Sequence, residues 1–83
     1  MTGSSRTGTL AIRLSAVIRN YRKSLSLSQE ELAERSGVNR TYISDIERGG
    51  RNVSIGCVEK IAESFGISAS KLIHEAEQAE ISE

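Results

Sequence analysis

Five polar side chains crowd into one short run of this chain: Asn39, Arg40, Thr41, Ser44 and Asp45. Together they offer the donors and acceptors that base edges answer. An arginine can bridge guanine O6 and N7, a threonine can donate, accept or set its methyl against that of thymine, and an aspartate can accept from cytosine N4. Such chemistry works only if the side chains arrive together on a rigid support that fits a major groove. The surrounding sequence, Gln29 to Arg48, reads Q-E-E-L-A-E-R-S-G-V-N-R-T-Y-I-S-D-I-E-R. It holds two short helical patterns joined by Gly37, which can take the left-handed conformation that stops one helix and redirects the chain. Leu32, Ala33, Val38, Ile43 and Ile46 fall where two steeply crossing helices would face each other, and the polar five are left outward at the start of the second. That is the pattern of a helix-turn-helix.

Other polar residues lie where they would hold a duplex without reading it. Gln29 sits at the start of the first helix of the pair, where free amides favour a phosphate. Tyr42, Arg48, Arg51 and Asn52 lie around or just beyond the second helix, positions that fix register on the backbone. Glu30 and Glu31 suit the dipole of the first helix but would repel DNA if they faced it, so they are expected sideways. Asp45 has two possible partners, cytosine N4 or Arg48 one turn on, and the intrahelical pair is the expected one. Glu47 and Arg51 are open in the same way.

The elements that must carry these residues announce their own starts. Thr9 can cap a first helix striped by Leu10, Leu14, Val17, Ile18, Tyr21 and Leu25, with Arg19, Arg22 and Lys23 available for phosphates. Ser28, Asn39, Ser54 and Ser68 are N-caps for four more. Each is flanked by an apolar pair at staple spacing: Leu27 with Leu32, Val38 with Ile43, Val53 with Val58, and Ile67 with Leu72. Glu31 completes a capping box, and Gly37, Gly49-Gly50 and Gly66 supply stops. The fourth helix aligns Ile55, Val58, Ile61, Ala62 and Phe65, with Cys57 as a small packed residue. The fifth, from Ser68 to Ala76, aligns Ala69, Leu72, Ile73 and Ala76, a stripe with too little core of its own that a partner subunit is expected to cover.

The chain is therefore read as all-α, with a flexible tail at residues 1–8, a domain at 9–76 and a fraying acidic tail at 77–83. With 83 residues it has room for one small core, and a small core favours dimerisation. Formal net charge is zero, which taken alone disfavours a nucleic-acid partner. The charge is unevenly spread, however. Residues 1–25 carry Arg6, Arg13, Arg19, Arg22 and Lys23 and no acid, whereas residues 54–83 set Lys60 and Lys71 against six glutamates. Such polarity would turn the front of the chain towards phosphates. A single cysteine, no signal peptide and no apolar run long enough for a bilayer point to a soluble cytoplasmic protein with no membrane partner. His74 has no second ligand at metal spacing, and no triad, phosphate loop or carboxylate pair is visible. No enzymatic activity, metal, cofactor or small-molecule ligand is expected.

The run N-R-T-Y-I-S-D-I-E-R-G-x-R-N from Asn39 to Asn52, with S-Q-E-E-L-A before it, closely resembles the lambda-repressor-like (Xre-type) helix-turn-helix proteins. Within that family the short length and the R-T-Y-I-S and E-R-G-x-R-N elements look like controller proteins of restriction-modification systems. The resemblance spans about Leu10 to Ile73. It implies five helices, base contacts from Arg40 and Thr41, and backbone support from Gln29, Tyr42, Ser44, Arg48, Arg51 and Asn52. It further implies a homodimer through the C-terminal helices, including Leu72, Ile73 and Ala76, on a near-palindromic operator in double-stranded DNA, activating or repressing its own gene and that of the endonuclease. Phage-type repressors and antitoxins, the latter acting mainly through a protein partner, are the alternatives. Two departures stand out: Gly50 is inserted before Arg51, and helix four has Gly56-Cys57 where bulkier residues are usual.

Overall fold

The computed structural model describes residues 9–49 and 53–79. The expected tail at 1–8, the inserted Gly50, Arg51 and Asn52, and the acidic end at 80–83 lie outside them. Among the described residues there are five helices and no strand: α1 (Leu10–Ser24), α2 (Gln29–Ser36), α3 (Arg40–Glu47), α4 (Ile55–Phe65) and α5 (Ala69–Gln78). Each begins at the cap that its sequence supplies. The side chain of Thr9 accepts from the Ile12 amide, Ser28 from Glu31, Asn39 from Thr41, Ser54 from Cys57 and Ser68 from Lys71. At α2 the bond is reciprocal, because Glu31 Oε1 accepts from the Ser28 amide at 2.8 Å. Caps of this kind contribute about 1 kcal/mol each. α2 and α4 end at Gly37 and Gly66, with φ of +76° and +81°. A Cβ at either would meet no atom within 4 Å, so backbone conformation and not space selects glycine there.

The staple pairs close over the core as expected. Leu27, Leu32, Val38, Ile43, Val58 and Leu72 are buried, and Val53 and Ile67 are half-buried against them. α1 lies along α5 and reaches α3, α2 packs on α3 and α4, and α4 packs on α5. The apolar stripes fail only at element ends. Leu10 and Leu25 bracket α1 and are exposed, and Ile55, first residue of α4, is 66% exposed. Ser15 occupies a buried position in mid-α1 instead, its hydroxyl donating to the Ile12 carbonyl at 2.6 Å. Gly56 is exposed, and a Cβ there would meet only Ser54 Oγ, at 4.0 Å. At Gly56, therefore, the missing side chain leaves no hole in the core.

The expectation for α5 needs correction. Leu72 and Ala76 are 0% exposed within the single chain, so no second subunit is required to cover them; α1 and α4 both pack on α5. Tyr21 secures the contact, donating to Glu75 Oε2 at 3.1 Å and stacking on Phe65 with ring centroids 5.1 Å apart. Ile73 is half-buried and keeps part of its surface outside. α5 also runs past the expected end at Ala76 to Gln78, with Ala79 as its C-cap. Arg13 from α1 meets these two added residues, its Nη1 donating to the Glu77 carbonyl at 3.3 Å, a group that would otherwise lack a helical partner. Among the described residues no helix is long and apolar enough to cross a membrane.

Candidate nucleic-acid interface

The turn between α2 and α3 is built from three adjacent residues. Gly37 reverses the chain, and the buried Ser36 hydroxyl donates to the Leu32 carbonyl at 2.7 Å while accepting from the Val38 amide at 3.2 Å. Val38 is thereby drawn into the core, and Asn39 follows as a cap whose Oδ1 accepts from the Thr41 amide at 2.7 Å. With Ile43 and Ile46 fully buried, the rotation of α3 about its axis is fixed. Arg40 and Thr41 emerge exposed on its first turn, and Ser44 is half-buried one turn later. The expected reading edge is therefore a surface, made of side chains that the core does not use.

The supporting residues divide. Gln29 and Arg40 come together, with Arg22, Ser28 and Glu30, around one cleft of about 320 Å³ at the start of α2. Glu30 borders this cleft and is exposed. Tyr42 is half-buried, its hydroxyl accepting from the Ser54 amide at 3.3 Å, so it ties α3 to the start of α4. Arg48 caps α3 and pairs with Asp45 at 3.2 Å, the intrahelical partner expected for Asp45. It lies eight positions beyond Arg40, about 12 Å along a helix axis, and so serves the opposite end of the element. Arg51 and Asn52 lie outside the described residues.

Sequence reasoning missed the group that holds this surface together. Glu47, last residue of α3, is buried, and its side chain is only 4% exposed. Its Oε2 accepts from Arg22 Nε at 2.7 Å, and its Oε1 accepts from Arg22 Nη2 at 2.9 Å and from Gln29 Nε2 at 3.1 Å. Arg22 Nη1 donates in turn to the Leu27 carbonyl at 2.7 Å. Three of the five Arg22 N–H donors are thus engaged inside the fold, on a side chain that was expected to stand available for phosphate. Burial alone would raise the Glu47 carboxyl, but hydrogen bonds from Arg22 and Gln29 and the nearby positive charges of Arg22 and Arg19 outweigh it and hold the group below the ordinary carboxylate value. The hydrogen bond to Glu47 raises Arg22 in turn, against the opposing effect of burial. A signal was present: Ile43, Ile46 and Glu47 fall at i, i+3 and i+4, which puts an acid on the apolar face of α3.

Among the described residues no group of histidine, cysteine and carboxylate side chains could hold a metal ion. A helix-turn-helix family model matches residues 18–72. The control protein C.BamHI of Bacillus amyloliquefaciens is 43% identical over 68 residues, 81% of this chain and 84% of that protein. Among solved structures, the restriction-modification controller protein C.AhdI of Aeromonas hydrophila is similar at 37% identity and a TM-score of 0.70, over 75% of this chain and 94% of that one. C.Esp1396I bound to a 25 base pair operator site is similar at 33% identity and a TM-score of 0.76, over 87% and 95%.

Proposed function

The chain belongs to the helix-turn-helix family, lambda-repressor-like in type, and from that premise we propose that it is a sequence-specific transcriptional regulator of the restriction-modification controller kind. It binds double-stranded DNA and performs no catalysis. The observation that carries this reading is the split of α3, whose Ile43 and Ile46 are sealed in the core while Arg40 and Thr41 stand exposed on its capped first turn. In this reading Arg40 bridges a guanine and Thr41 meets a neighbouring base edge. Gln29, Tyr42, Ser44, Arg48, Arg51 and Asn52 hold the sugar-phosphate backbone or the elements that do.

The protein acts in the cytoplasm as a homodimer on a near-palindromic operator, with paired α3 helices about 34 Å apart in successive major grooves. Since Leu72 and Ala76 serve the core of one chain, the dimer contact on α5 falls to its outer residues, Ile73 among them. Selection of bound duplexes from a random pool tests the reading. Enrichment of a two-fold symmetric sequence, together with a sedimenting mass of two chains, is the expected result. A bound pool no different from the input would end it.

A further inference from the structure

A carboxylate can only accept hydrogen bonds, and at Glu47 that restriction reaches beyond the ion pair. Because Oε1 already receives Gln29 at 3.1 Å, the Gln29 amide must turn its nitrogen and not its oxygen towards Glu47. That nitrogen carries two hydrogens. Glu47 takes one, leaving the other for a partner in the cleft that Gln29 lines with Arg22 and Arg40. Glu47 is itself held by two bonds from Arg22, and Arg22 by the Leu27 carbonyl, so each member of the chain is fixed by the next. Glutamine is among the side chains that lose most rotamer freedom on being ordered. Ordering it within the free protein removes that cost from the binding step.

Resting on the regulator reading above, we propose that Glu47 is a positioning residue for DNA binding. Without touching the duplex it holds Gln29 donor-first before DNA arrives, so that the amide meets a phosphate oxygen already oriented. The same carboxylate ties α3 to α1 and to the start of α2, which keeps the phosphate contact in register with the bases read by Arg40.

Two measurements test this. In the free wild-type protein, side-chain relaxation should show the Gln29 amide ordered and the exposed Gln78 amide mobile; equal mobility would overturn the proposal without recourse to any variant. The second is a double-mutant cycle of Glu47→Gln and Gln29→Ala on a duplex selected by the wild type from a random pool, at a temperature below every variant's melting point. An amide at position 47 keeps only one acceptor oxygen, so the three donors that the carboxylate receives from Arg22 and Gln29 can no longer all be met, and the orientation of Gln29 is no longer fixed. Glu47→Gln should weaken binding roughly fivefold to tenfold when Gln29 is present, as expected for one lost hydrogen bond. In the Gln29→Ala background it should weaken binding by no more than about twofold. Equal losses in the two backgrounds would make Glu47 merely structural and overturn the proposal. If Glu47→Gln does not fold, the relaxation measurement decides. If the wild type selects no duplex at all, the DNA-binding reading falls, while the order of Gln29 still reports on positioning.

Discussion

Two acid–base pairs are anchored on the last turns of α3, and they are alike in chemistry and opposite in setting. Asp45 meets Arg48 within the helix at 3.2 Å, with side chains 53% and 67% exposed. Glu47 meets Arg22 across the fold at 2.7 Å, with side chains 4% and 12% exposed. The first pair is solvated and screened and holds two long side chains at an entropic cost, so it contributes little. The second lies where water cannot repair a loss. Its charges have been taken out of water at a cost that two parallel bonds, the Gln29 amide and the Leu27 carbonyl offset. What separates the two pairs is the surroundings into which each partner's removal would release the other.

The largest expected effect comes from breaking the buried pair on one side. Glu47→Ala or Arg22→Ala should lower the free energy of unfolding by about 3–5 kcal/mol, the cost of an uncompensated buried charge. Urea denaturation measures it, and a loss under 1 kcal/mol would mean that solvent reaches the site after all. Removing both charges is the sharper test. Arg22→Met with Glu47→Leu should recover most of that loss, since matched apolar groups need no partner. The Leu27 carbonyl, left without Arg22, keeps the recovery incomplete.

The same pair should dominate the acid limb of stability. Glu47 is held below its ordinary value of 4.5, so the folded protein binds the proton less readily than the unfolded chain. Its contribution is complete above about pH 4.5 and is lost as the pH falls through the lower folded-state value. Unfolding midpoints measured from pH 6 downwards should therefore drop less steeply in the Arg22→Met, Glu47→Leu double variant than in the wild type. Parallel curves would assign the acid limb to other carboxylates.

Arg40, at the far end of the same helix, should behave in the opposite way. Arg40→Ala leaves no buried charge behind and should unfold like the wild type. On a selected duplex it should lose about 1–3 kcal/mol of affinity, the discrimination carried by one bidentate base contact, with little change on random DNA. Titration against the two probes checks this, and equal losses on both would reduce Arg40 to a phosphate contact.

These contrasts show what the sequence could and could not disclose. Caps, staples and glycine stops are local in the chain, and they located all five helix starts. The outward set at Arg40 and Thr41 was legible for the same reason, since the spacing of Ile43 and Ile46 fixes which way α3 faces. The Asp45–Arg48 pair, three residues apart, could be read off the helix period. Glu47 and Arg22 are 25 residues apart, and nothing in their own segments joins them. An acid on an apolar face announces only that some partner is needed, and tertiary packing names it. Leu72 and Ala76 were misassigned to a subunit contact for a related reason. A short apolar stripe looks the same whether a neighbouring subunit or the chain's own helices cover it, and the extent of the α1–α5 contact follows from the path of the whole chain. The left-handed conformation of Ser26, φ +59°, was equally hidden, because serine marks a turn without specifying its sign of φ.

The smallest expected effect completes the comparison. Asp45→Ala removes the exposed pair, and both partners already stand in water, so stability should change by no more than about 0.5 kcal/mol in either direction. If Asp45 is occupied only with Arg48, base preference in a selection experiment should also be unchanged, and freeing the arginine should leave phosphate contact intact or slightly strengthened. A changed preference at one base pair of the selected site would mean that Asp45 leaves Arg48 on binding and accepts from a cytosine. The exposed pair would then be a resting state of a reading residue, and its weakness would be what permits the exchange, since a pair as strongly held as Glu47 and Arg22 could not give up a partner to DNA.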